Sequence, residues 1–590
     1  MSEFAGDSPS GSAGASADAD LMALADETWD TAMRSSPLTA TTLGDPRFHG
    51  KLADNSPSGL TATEDRLHGL RQRAVGLPAD GLDHEGLITR SALVSFLDAK
   101  IAELVPKHAE WSVDPMAGPQ VALLTIGAEQ PVTDTGQRRA AAERWRLMAG
   151  YVDQHAANLG SAAGEGRVAA ACLVRKVIGQ LDDLLATPTS ESPLLDPARR
   201  ASAAGAAADA TQFGSDLEQA VLEGVMPAFA RLRTVLVEQI LPRARSDDEA
   251  GIGFLPDGQT LYRQAIRGFT TLDVDPETVH RTGRHEVERN DAELAELACS
   301  ELGTTDLATA LDRLRGGTGL GFDSREEMLA AARATVARAE DAVPGWFGLR
   351  QETPCEVIPT PPHEEAHSPP AQYRLAAEDG SRPGRYWITT SEPGSRPRFL
   401  LEVQCFHEAV PGHHLQLGVA AKLSGLPDFR RRAIVPAYAE GRGLYAEHLA
   451  GDMGLYSTRQ DRLGACSQDA LRSCRLVVDT GMHALGWSRR QAIDYLLSHT
   501  ALPERAAVAE VDRYLAWPGQ ALAYKLGQLE LLDLRRRAGR HLGGRFDVRR
   551  FHDIVLGHGS LPLAVVRRIV EGELGLDRSG AGHTAPTATF

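Results

Sequence analysis

Apolar residues recur at intervals of three and four along most of the chain. LITRSALVSFLDAKIAEL (residues 87 to 104), RVAAACLVRKVIGQLDDLL (167 to 185) and LEQAVLEGVMPAFARLRTVLVEQIL (217 to 241) all carry this period. It places one apolar stripe on one face of an α-helix. Ala, Leu, Glu and Arg fill these stretches, and they are strong helix formers. The texture changes at about residue 345. CEVIPTPP, AQYRLAAE and RYWITTSE are short, carry β-branched or aromatic residues and are set apart by Pro and Gly, so they read as two or three strands. From RPRFLLEVQCFHEA the helical period returns and persists to about 572. The pattern predicts a mainly α fold: a large helical body with a deep active-site cleft and a small β-sheet beside one special helix.

The chain ends read differently. MSEFAGDSPSGSAGASADAD has no basic stretch followed by an apolar one, which argues against a secretory signal. Its Ser, Gly, Ala and Asp bury too little surface to order themselves. The expected organisation is a disordered tail over 1–19, a helical region over 20–344, a catalytic region over 345–575 and a second tail over 576–590. With 62 basic against 79 acidic residues the formal charge is -17, which disfavours nucleic acid and anionic membrane as partners. No run approaches the length of a transmembrane helix. Six cysteines without a C-x-x-C pair read as inert thiols in a reducing compartment. A soluble cytoplasmic protein is expected.

Two histidine clusters compete for attention. PPHEEAHSPP (361 to 370) contains a literal H-E-x-x-H, the spacing that puts two histidines on one helix face. Proline pairs at both ends leave too few residues for a stable helix, so His363, Glu364 and His367 are expected in a loop. HEAVPGHHLQ (407 to 416) follows a helical stretch in which Phe399, Leu400, Val403 and Phe406 are spaced as one face, with Pro397 suited to the helix start. His407 and Glu408 are therefore expected deep in a helix. On a straight helix His413 lies about 120° from His407, and His414 returns to the same side but two turns away. Pro411 clashes with the carbonyl four residues back and Gly412 adds freedom, so a kink or bulge is expected that swings His413 toward His407. A third ligand should come from an acid on a neighbouring helix. Glu440 and Glu447 lie seven apart among Tyr438, Leu444, Tyr445 and Leu449 in AYAEGRGLYAEHLAGDMGL.

HEAVPGHHLQ, EGRGLYAE, RLVVDTGMHALGWSRRQAIDYL and PGQALAYKLGQLELLDLR together resemble the DUF885 family, grouped with the gluzincin kind of HExxH metallopeptidases. The likeness extends over about 20 to 575. It implies a zinc site in which His407, His413 and Glu440 are ligands, Glu408 is the general base, His414 supports the ligands, and Tyr524 of PGQALAYKLG overhangs the metal. One departure is Arg442, where the family has an aromatic; it is expected to narrow the pocket or recruit an acidic group. Zn²⁺ held by two His and one Glu keeps an open position for water and lowers that water's pKa toward ~7. Glu408 would take the proton and pass it to the leaving nitrogen, with the Tyr524 hydroxyl on the oxyanion.

The expected function is a zinc-dependent hydrolase cutting amide bonds of short peptides. The RYWITT strand is expected to offer its edge to the peptide backbone. Arg513, Tyr514, Arg442, His414 and His483 are candidate substrate contacts, while Lys525, one residue on from Tyr524 in a helix, is expected to face a different direction and His558 is read as structural. Two other functions fit the same residues: a zinc amidohydrolase acting on a small-molecule or amino-acid conjugate, and a non-catalytic helical binding protein. A carboxylate-bridged di-iron bundle would want Glu-x-x-His from two helices, which the His-Glu order does not supply.

Overall fold

The structure, a computed structural model, describes residues 13–576 except 106, 204–207, 317–320, 352, 362–364, 366–368 and 377–382. His363, Glu364 and His367 lie outside the described residues. Helices dominate, as the apolar period predicts. Those used below are α1 (Ala13–Ser35), α2 (Pro276–Leu302), α3 (Arg325–Ala342), α4 (Leu401–Glu408), α5 (His413–Lys422), α6 (Pro436–Asp452), α7 (Arg459–Ala484), α8 (Glu504–Ala516) and α9 (Leu522–Leu542). α1 takes in residues 13 to 19, which composition assigns to the tail; its alternating Ala and Asp are compatible with a helical turn leading into the apolar face of Leu21 and Leu24. Pro227 lacks the N–H that a regular turn needs, and the helix widens into a π turn over Val221–Val225 just before it.

The largest apolar cluster draws on both ends of the chain. Leu21, Leu24 and Phe96 share it with Phe406, Leu415, Tyr438, Leu522, Phe551 and Leu563. Residue 345 therefore marks a change of local pattern and not a division of the core. A second cluster, with Trp145, Val174, Phe229 and Leu232, gathers helices from the middle of the first half. Among the described residues no helix is long and apolar enough to cross a membrane.

Three strands form the sheet: β1 (Glu356–Pro359), β2 (Ala371–Arg374) and β3 (Arg385–Ile388), in the order β1-β3-β2. β3 runs parallel to β1 and antiparallel to β2. Being central, β3 has both edges paired, so the RYWITT strand cannot take a peptide as a further strand; only β1 and β2 have outer edges. Tyr386 and Ile388, two apart and thus on one face, pack with Val357 onto Leu401, Cys405 and Ala409 and onto Met328, Ala332 and Val336 of α3. This sandwich fixes α4. Glu365 accepts from the backbone N and the hydroxyl of Thr390 at 3.0 Å each and pairs with Arg325, which ties this residue to the end of the sheet.

Candidate metal centre

The helix carrying the His-Glu pair does not bulge; it stops. α4 ends at Glu408, and α5 starts at His413. His407 and Glu408 are thus the last two residues of a short helix, not residues deep within one. The Val410–Pro411 peptide is cis. The break is tight: a Cβ on Gly412 would lie 1.8 Å from the His407 carbonyl oxygen, so only glycine fits there. The His414 N–H reaches back to the Ala409 carbonyl at 3.1 Å and re-forms the chain into α5. This corner brings the rings of His407 and His413 to 4.7 Å between centroids, nearly perpendicular at 87°.

Glu440 of α6 completes the set. Its Oε2 lies 3.5 Å from His407 Nε2 and 3.7 Å from His413 Nε2. One ligand atom from each of the three residues falls within 4.8 Å of the other two. A tetrahedral zinc ion with bonds of about 2.0–2.1 Å separates its ligand atoms by roughly 3.3–3.5 Å, so the cluster has the right scale for such an ion. The donor set, two imidazoles and one carboxylate, also has the right chemistry. Burial works against a charged His407, yet Glu440 and Glu447 outweigh it and lift its pKa to about 10. Glu440 is half-buried, which raises its carboxyl, but the two histidines hold it well below the usual carboxylate range. Two acids around one imidazole make a field that favours a cation.

The second acid of α6 has a separate task. Glu447 Oε1 is 2.7 Å from His407 Nδ1, leaving Nε2 toward Glu440. Such a carboxylate fixes the ring's tautomer and orientation. Room for that ring comes from Gly443: a Cβ there would sit 2.6 Å from His407 Cε1. Gly441 faces Gly527 across the crossing of α6 and α9, where a Cβ on either would meet the other's Cα within 2.7 Å. The close crossing draws Tyr524, one turn earlier on α9, to the neighbourhood of Glu440. The Tyr524 phenol is pushed up by burial and then by the charge of Glu440.

The structure separates the two adjacent histidines. His414 has Nδ1 at 3.0 Å from the Tyr373 hydroxyl and Nε2 at 2.9 Å from the Thr353 carbonyl oxygen. Both nitrogens are engaged away from the triad, and the ring clamps β2 to α5. Glu408 is half-buried.

The other sequence candidates are engaged by partners outside the triad. His483 is fully buried; Nδ1 accepts from the Ile252 N–H at 3.0 Å and Nε2 lies 3.1 Å from the Tyr514 carbonyl oxygen. Its ring is committed to the backbone and offers no atom to a substrate. Arg442, about 200° round α6 from Glu440, lies over the rings of Phe347 (5.4 Å) and Tyr445 (5.5 Å). It neither narrows the site nor meets an acid there. Arg513 pairs with Glu510 at 3.1 Å, and the buried Tyr514 hydroxyl donates to the same Glu510, so the phenol is engaged already. Lys525 is buried against Asp469 at 2.7 Å and Glu286 at 3.1 Å, as a structural residue. Sequence reasoning passes over Arg472 and Arg475 of α7, whose guanidinium carbons lie 6.0 and 4.6 Å from the centre of the Tyr524 ring. Arg475 opens RLVVDTGMHALGWSRRQAIDYL, one of the stretches that carry the family resemblance, and the three-residue spacing sets Arg472 on the same side of the helix.

The fold is shared with solved structures. One, a "putative lipoprotein" from Colwellia psychrerythraea, is 27% identical, with a TM-score of 0.88 over 95% of this chain and 99% of that one. Another from Shewanella oneidensis, described likewise and of unknown function, is 17% identical, with a TM-score of 0.71 over 94% and 99% of the two chains. No curated protein matches the chain. The model of a family described as "Bacterial protein of unknown function (DUF885)" matches residues 37–570, and the chain belongs to that family.

Proposed function

We propose that the protein is a zinc-dependent hydrolase that cleaves amide bonds of short peptides. The observation that carries this reading is the convergence of His407, His413 and Glu440 within 4.8 Å, from three separate helices. These three residues would hold the ion. Zinc bound there supplies Lewis-acid activation of water and of the scissile carbonyl. Glu408, the residue after the first ligand, takes the proton of the attacking water and delivers it to the leaving nitrogen. Tyr524 donates a hydrogen bond to the developing oxyanion, a contact worth about 3 kcal/mol in comparable sites. Glu447 keeps the His407 ring in place. The metallopeptidase character and a cleft above the site belong to the same proposal, as does a cytoplasmic location; detection of the protein in fractionated cells separates that location from the lipoprotein description given to its solved relatives.

A peptide-library digest with unmodified protein and with Glu408→Gln tests the reading. Hydrolysis is expected from the first and a loss of about 10²–10⁴-fold from the second, with zinc content unchanged. Equal hydrolysis by both would remove Glu408 from the chemistry.

A further inference from the structure

Beside the triad stands a group of arginines that the proposed hydrolysis does not use. Arg472 and Arg475 lie one turn apart on α7, and Arg513 comes from α8. Arg475 is only 6% exposed. Its Nε and Nη2 donate to Glu510 Oε2 at 3.1 and 2.9 Å, and Nε also reaches the Tyr514 hydroxyl at 3.2 Å. Arg513 Nη2 donates to the same Oε2 at 3.1 Å, as does the Tyr514 hydroxyl, while Arg513 Nη1 donates to Gln520. Four donor atoms thus converge on one carboxylate oxygen, more than its lone pairs can serve well. Arg475 Nη1 and Arg472 Nε are buried with no hydrogen-bond partner. Buried charged donors left without an acceptor are unfavourable. Donors and positive charge are therefore in surplus over the acceptors present.

The surplus is placed beside the proposed chemistry. The Tyr524 ring lies under Arg475 and feels the charge of Glu440. Arg472 Nη2 is 3.9 Å from Glu447 Oε1, which itself holds His407. Glu510 keeps 21% and Arg513 15% of their side chains exposed, so the cluster touches solvent on the α8 side.

Resting on the hydrolase reading, we propose that Arg475, seconded by Arg513, binds a carboxylate of the substrate. The substrate class is then a short peptide or acyl-amino acid whose portion lying past Tyr524 carries a free carboxylate. Arginine suits this task because its planar guanidinium offers several charge-assisted donors at once. The carboxylate can come from a free C-terminus or from an Asp or Glu side chain.

Calorimetry on full-length, zinc-loaded Glu408→Gln protein, which does not turn substrate over, tests the proposal. Three N-acetylated tripeptides share one backbone: a free acid with uncharged side chains, its C-terminal amide, and an amide with Glu as the last residue. At least one carboxylate ligand is expected to bind about 10–100-fold tighter than the neutral amide, the scale of a hydrogen bond to a charged group. Which of the two prevails identifies the source of the carboxylate. Equal affinities, or preference for the neutral amide, overturn the proposal. Arg475→Gln in the same background is expected to erase the preference; a preference that persists in the folded variant assigns the carboxylate to the metal and also overturns it. Arg475→Lys, which keeps the charge but loses the fork, is expected to fall between. If neither variant folds, the comparison of the three ligands still decides. Zinc content on the same samples separates the two readings. A metal-free protein that still prefers the acids sinks the hydrolase reading alone, and a zinc-loaded protein without preference sinks this one alone.

Discussion

His407 and His483 occupy similar places and behave in opposite ways. Each sits in the last turn of its helix, α4 and α7, and each is buried, at 6% and 0% exposure. Burial disfavours the imidazolium in both. His407 nevertheless rises to about 10, because Glu440 and Glu447 face its two nitrogens. His483 falls to about 3, because burial prevails over its hydrogen bond to the Tyr514 carbonyl and the charge of Arg245 adds to it. The partners, not the burial, decide which histidine carries charge and which is a neutral fastening. His483 joins the 252 turn to the end of α8; His407 collects carboxylates around a place for a cation.

Substitution can break this contrast. The largest effect on stability is expected from His483→Ala, which strands the Ile252 N–H and the Tyr514 carbonyl and opens a cavity. A loss of about 3 kcal/mol should appear as a lower denaturant midpoint, with zinc affinity of the folded fraction unchanged. Next comes Glu447→Gln. It keeps the shape but removes the charge that orients His407, and zinc affinity should fall about 10–100-fold with little loss of stability. An unchanged affinity would make Glu447 a bystander.

A third histidine sharpens the comparison with the smallest effect. His558 lies 3.4 Å from Glu85 and 3.2 Å from Glu573, outside the His407–His413–Glu440 group. Burial opposes its charge, but Glu573 and Glu85 prevail over it and over Arg430, lifting its pKa to about 9. A folded-state pKa above the unfolded value of ~6.5 means that its stabilisation is fully present below pH ~6.5 and is lost as pH rises through about 9. His558→Gln should flatten the fall in stability across that window by about 1 kcal/mol, since both acids are partly exposed. Parallel stability curves for the two proteins would contradict the assignment.

Much of this was legible in the sequence because it is local. The apolar period gave the helices, Pro and Gly set off the strands, and Pro411-Gly412 marked the corner that lets His407 meet His413. What escaped depends on distant partners. Whether α4 bends or ends at Glu408 depends on Gly412 seating against the His407 carbonyl, which the sequence does not state. The central position of β3 required β1 and β2 to flank it, and strand order has no local signature. His414 looked like a spare ligand until Tyr373 and Thr353, over 40 residues away, claimed its nitrogens. Glu440 and Glu447 looked alike on one helix face, and only the His407 ring between them gave them different tasks. Arg475 opens a stretch read only for its likeness to the family, and its unmet Nη1 is set by packing around Glu510 and Tyr514, over 30 residues away.

The most direct test of the central claim is the zinc stoichiometry of the purified chain, measured by elemental mass spectrometry after removal of loosely held metal, beside His413→Ala and His414→Ala. The account predicts one zinc ion per chain in the unmodified protein, retained in the folded His414→Ala variant and lost from His413→Ala. Absence of bound zinc after incubation with it, or full retention by His413→Ala, would contradict the account.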